Sequence, residues 1–158
     1  MLISNTGPLV ALSHLGQLKI LQHMFSSVKV ADSVRLEITA SAGKPAARLF
    51  MDHPWIQVEP DPPMPDTWLA TILDAGEAAT IALALRVNPM FVLIDERKGR
   101  RIAHQIYSLP LIGTAGVLLR ARMRGLIPAV RPLLLELQTK GYHLQTRLID
   151  QISAAAGE

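Results

Sequence analysis

The chain has 158 residues, 49% of them hydrophobic and 18% charged, which suits one folded domain over 1–158 and excludes disorder as its overall state. There is no cysteine, so disulfides and thiolate chemistry are excluded and a metal could find only oxygen or imidazole ligands. Sixteen Lys and Arg against 13 Asp and Glu leave a net charge of +3, a balance that permits a polyanionic partner without demanding one.

Eleven of those cations are Arg, the side chain suited to two-pronged phosphate contacts. They cluster: Arg97, Lys98, Arg100 and Arg101 form one group, and Arg120, Arg122 and Arg124 another. Only 4% of the chain is aromatic, so Leu, Ile, Val and Ala must do the packing. No apolar run, 90–94 included, exceeds five residues, far short of the ~18 a membrane span needs. The N-terminus has no charged region ahead of a long apolar core, so no secretory signal is expected and the cytoplasm is the expected compartment.

In chain order, residues 2–4 read as a short strand, followed by a helix over 9–15 with Thr6 as its N-cap and Pro8 in its first turn. Gly16 ends that helix and a second is expected over 17–25. A strand at 28–30 leads to a helix opened by Asp32 that carries Val34, Glu37 and Ile38. A helix over 45–51 and a strand over 55–58 come next, then a loop over 59–67 with prolines at 60, 62, 63 and 65. The clearest helix starts at Asp74-Ala75-Gly76-Glu77 and runs to Leu85.

Residues 91–94 form a buried-type strand, 97–107 a helix, and 109–112 another strand. Gly113-Thr114 opens a helix ending near Gly125, and two more start near Arg131 and Gln145. Strands alternating with helices predict an α/β fold, a three-layer α/β/α sandwich on a short, mostly parallel sheet.

Parallel sheets bind ligands beyond the carboxyl ends of their strands. Asn5, Asp95 and the pair Gly113-Thr114 all fall just after expected strands, and Glu37 and Glu77 sit at the edges of core-facing helix stripes. Brought together, such oxygen ligands suit Mg²⁺ or Mn²⁺. Structural readings stand beside this one. Asp74 and Glu77 have the spacing of a capping box, Asp95 could cap the helix after it, and Glu37 could pair with an Arg at the surface. No P-loop, dinucleotide fingerprint or nucleophile elbow is present, and the five histidines show no metal-binding spacing.

Five stretches together resemble one family: Ser4 through Leu12, Val34 to Ile38 around Glu37, Asp74 to Ala78, Leu93 to Ala103, and Ile112 to Leu118. In this order and spacing they resemble the DUF3368 branch of the PIN-domain superfamily, similar to VapC-type toxins. The resemblance implies a metal-dependent ribonuclease with Mg²⁺ or Mn²⁺ as cofactor, acting on RNA. It also implies the toxin half of a toxin–antitoxin pair, with a small antitoxin protein as partner, a homodimer, and no membrane association. By position Asn5, Glu37, Glu77 and Asp95 match the four catalytic places, the last three as metal ligands, with Glu96 as an alternative to Asp95. The first place is an acid in catalytic PIN domains, whereas Asn5 brings an amide oxygen and no charge. Thr6 and Thr114, with Arg97, Arg100 and Arg101, are the implied substrate-binding residues. A degenerate PIN module that binds RNA or protein without cutting is the competing expectation.

Overall fold

The computed structural model describes residues 1–41 and 48–158. Five strands form one parallel sheet in the order β3-β2-β1-β4-β5. They are β1 (Leu2–Ser4), β2 (Val28–Ala31), β3 (Ile56–Glu59), β4 (Phe91–Leu93) and β5 (Leu111–Ile112). β1 is central, with Leu2 level with Val28 on one side and Phe91 on the other. All three of its residues are buried. That is why its sequence shows no polar alternation: helices cover both faces of such a sheet.

The helices between the strands are α1 (Thr6–His14), α2 (Lys19–Met24), α3 (Asp32–Ser41), α4 (Leu49–Asp52), α5 (Leu69–Ile72), α6 (Ala75–Val87) and α7 (Arg97–Gln105). After β5 come α8 (Thr114–Met123), α9 (Arg131–Thr139) and α10 (Thr146–Ala155). α6 lies against β1, β2 and β4 and packs on α3, while α8 packs on α1, α2 and α10. Nine consecutive residues of α6, Gly76 to Ala84, are buried. A helix apolar all round belongs inside the core, and this one carries Glu77 in with it. The α/β/α architecture and parallel sheet are those the sequence predicts.

Boundaries differ in instructive places. The helix expected over 9–15 starts at Thr6, and its N-cap is Asn5, whose extended backbone (φ −85°, ψ 173°) leaves β1 directly. Pro8 sits inside that first turn, where a missing N–H leaves no helical bond unmade. The helix expected over 17–25 is shorter, Lys19–Met24. The strand expected over 109–112 is confined to Leu111–Ile112, because Pro110 lacks a ladder donor and Leu109 N–H bonds back to Ala103 O. α7 stops at Gln105, two residues short of Tyr107. Of the helix expected over 45–51, residues 45–47 lie outside the described residues, and the described part is Leu49–Asp52. The short α5 had no signal of its own in the sequence.

Among the described residues no helix is long and apolar enough to cross a membrane.

Candidate functional site

In the order β3-β2-β1-β4-β5 the chain reverses its direction across the sheet between β1 and β4. A crevice opens at the carboxyl ends of two such strands. Asn5 follows β1, and Asp95 and Glu96 follow β4. The Asn5 N–H donates to Leu93 O at 3.0 Å, so the two strand ends stay paired up to the mouth of the crevice.

Asn5 is buried, and although it is the N-cap of α1 its side chain makes no capping bond. Among the described residues its Oδ1 has no hydrogen-bond partner. The next residue, Thr6, donates its hydroxyl to Glu37 Oε2 at 2.6 Å, drawing α3 towards the end of β1. The other oxygen of Glu37 accepts the Gly76 N–H at 2.8 Å, at the start of α6. Glu37 thus pairs with neither Arg nor solvent alone; it ties three elements together. Gly76 is required by that closeness, because a Cβ there would overlap the Glu37 carboxylate.

Asp74 caps α6 by accepting the Glu77 N–H at 2.7 Å. The Asp74 N–H acts on the Glu77 carboxyl in return and favours its charged form, as in a capping box. The carboxyl also lies against Gly99 of α7, where a Cβ would stand 2.6 Å from Oε1. Glu77 is only 6% exposed, and among the described residues its Oε1 has no hydrogen-bond partner. Burial, with the charges of Asp74 and Glu96 added, pushes its pKa up to about 7. From the far side, Glu96 brings its carboxyl against Gly7, 3.3 Å from the place of a Cβ. The Glu96 pKa is also raised, by burial of the carboxyl and by the charges of Asp95, Asp74 and Glu37.

These contacts close a circuit. Thr6 reaches Glu37, Glu37 reaches Gly76, Glu77 reaches Gly99, and Glu96 returns to Gly7. Among the described residues, no three acidic or histidine side chains stand close enough to hold one ion jointly. The acids repel one another without sharing a shell. Mg²⁺ keeps several waters and needs only one or two direct carboxylates. Buried oxygens on Asn5 and Glu77, without partners among the described residues and amid a donor set made only of oxygen, fit such an ion.

Asp95, next in the chain to Glu96, makes its own contacts. Its Oδ1 accepts the Thr114 N–H at 2.8 Å and its Oδ2 the Thr114 hydroxyl at 2.6 Å. It therefore caps α8 across the sheet rather than the helix that follows it, and Thr114 is occupied in holding it. Residues 95 and 96 leave β4 in succession and their carboxyls go to opposite sides, towards β5 and β1 respectively.

Arg97, Lys98 and Arg101 are exposed on α7, and Arg100 is half-buried with Nη1 bonded to Ile94 O at 2.7 Å. Asp74 was readable only as a cap, yet it also contributes charge to the ring. Tyr142 was not singled out by any pattern. Burial and the charge of Asp95 raise its pKa, and its hydroxyl meets His14 Nδ1 at 3.1 Å, a pairing across 128 positions that no local signal encodes.

A parallel α/β sheet with acids gathered at its switch point defines a class of protein whose chemistry sits between two strand ends. Within that class, the DUF3368 PIN-domain family model matches residues 1–158, and the chain belongs to that family. Searches of curated proteins and of solved structures gave no match.

Proposed function

We propose that this protein is a divalent-metal-dependent ribonuclease whose centre is the ring of Asn5, Glu37, Glu77 and Glu96. The observation that carries the reading is Glu77: a buried carboxyl with one oxygen unpartnered among the described residues, beside other acids and drawn by the Lys98 charge without an ion pair to it. Leaving such a group unpaired is expensive unless a cation completes it. Glu77 and Glu96 would hold Mg²⁺ or Mn²⁺, with Asn5 Oδ1 as a neutral ligand and Glu37 fixed by Thr6 and Gly76 at the rim. The bound ion would polarise a phosphodiester and lower the pKa of a water. Glu96, the acid of this ring most open to solvent, would take the proton from the attacking water. Asp95 stays with Thr114 and orders the start of α8.

The test is cleavage of single-stranded and structured RNA by purified protein in Mn²⁺. Cleavage that falls at least a hundredfold in Glu77→Gln supports the reading. Wild-type protein that leaves every RNA intact in Mn²⁺ and Mg²⁺ alike defeats it.

One observation favours a second reading. Asn5 stands where an acid would add charge, so the centre binds a cation less strongly than four carboxylates would. In a module that has lost cleavage, Asn5→Asp gains activity that the wild type lacks. The same family reading extends to a toxin acting in the cytoplasm as a homodimer under the control of a small antitoxin protein. Growth arrest on expression, relieved by a co-expressed small partner, is its check.

A further inference from the structure

We propose that the groove between α7 and β5 carries the backbone of single-stranded RNA to the acidic centre. This inference rests on the ribonuclease reading and names the path its substrate takes. The groove is open and holds about 490 Å³, within the range of ligand sites. One wall is Arg100, Arg101 and His104 of α7, with Gln105, and the other is Ser108 to Leu111.

Spacing on the helix sets the wall. Arg100 and His104 are four residues apart, as are Arg101 and Gln105, so two polar rows run side by side, each step about one 5.4 Å turn. Successive phosphates of an extended strand are separated on the same scale. The far wall exposes Pro110 and part of Leu111, an apolar surface suited to sugars and bases. It exists because the chain leaves α7 through Ser108, held in the left-handed region (φ 52°) and turning 109–111 back alongside the helix.

Charge points the same way. Ion pairs occupy seven other cations, yet none of Arg97, Lys98, Arg100 or Arg101 has an acidic partner among the described residues. Four cations within the first five residues of α7 also oppose its dipole, a stability cost that no ion pair among the described residues offsets. Along the chain the groove wall begins one residue beyond the centre. Gly99 lies over Glu77 while Arg100, next to it, lines the groove and reaches the Asp95–Gly113 corner.

The experiment is fluorescence anisotropy with a labelled, unstructured RNA 12-mer in EDTA, so that binding is read without cleavage. Arg100 is left intact because it holds Ile94 O, and Arg101→Glu with His104→Ala is used, both side chains being exposed. The expected result is a Kd at least tenfold weaker. The slope of log K against log salt should fall by about 0.7 for each phosphate that the variant no longer neutralises. Photocrosslinking of 4-thiouridine RNA to the wild type should label 100–111. Undiminished binding by the double variant, or crosslinks confined elsewhere, overturns the groove while Mn²⁺-dependent cleavage by the wild type keeps the nuclease reading. Loss of binding in the double variant with no cleavage by the wild type supports the groove and overturns the nuclease. No RNA binding by wild type at low salt overturns the groove outright.

Discussion

Glu77 shows at the scale of one residue what burial does to a carboxyl. Its pKa stands at about 7 in the fold against 4.5 for the free side chain, so the folded chain binds the proton more tightly than the unfolded one. Stability must then fall as pH rises between those two values and level off above them. In EDTA, urea titrations from pH 4 to pH 8 should show a loss of up to about 1.4 kcal/mol per pH unit in that window. Glu77→Gln should remove most of that slope. Asp74 separates two effects that Glu77 feels together. Asp74→Ala loses the cap of α6, about 1 kcal/mol, whereas Asp74→Asn keeps the cap and removes a charge that disfavours ionised Glu77. At pH 8, chemical denaturation should find Asp74→Asn at least as stable as wild type and Asp74→Ala less so.

Elements meet here through the absence of side chains. Gly99 on α7 and Gly76 on α6 lie where two carboxyls cross between helices, and each would collide with its neighbour if it bore a Cβ. In a helix, Gly→Ala usually gains up to about 1 kcal/mol from propensity. At Gly99 that gain is set against displacing Glu77. Gly99→Ala should keep its melting temperature within a few degrees and lose Mn²⁺ affinity by calorimetry. The brace between β4 and α8 answers to a different substitution. Thr114→Val removes a buried hydroxyl from Asp95 while retaining shape, at an expected loss of about 1–2 kcal/mol in denaturant melts. Neither glycine nor brace could be assigned from a pattern. A glycine early in a helix is equally consistent with a turn, and Asp95 and Thr114 meet only after β5 has docked on β4.

The whole molecule turns on the reversal between β1 and β4. That reversal puts Asn5 and Glu96 across one crevice, although 91 positions separate them, and it lets α3 and α6 bring two more acids to the same edge. An ion bound there would favour the folded state by mass action. Added Mn²⁺ should therefore raise the melting temperature, more at pH 8 than at pH 5, where protons compete for Glu77. A metal-independent melting curve at both pH values would count against the centre.

The alternation of short apolar runs with helical stripes is a local property, and it was enough to specify an α/β sandwich on a parallel sheet. The helix-start chemistry of Asp32 and Asp74 and the buried composition of 78–84 needed no partner to be read. Where carboxyls point was another matter. Glu37 could have paired with an Arg at the surface, Glu77 could have served its capping box alone, and either Asp95 or Glu96 could have faced the crevice. Each alternative satisfies the same local rules, because a carboxylate accepts equally well from a helix N–H, a hydroxyl or a cation. Only long-range packing sets the contacts that each one makes: Thr6 bonds Glu37, Gly99 leaves room for Glu77, Thr114 bonds Asp95, and Glu96 lies over Gly7.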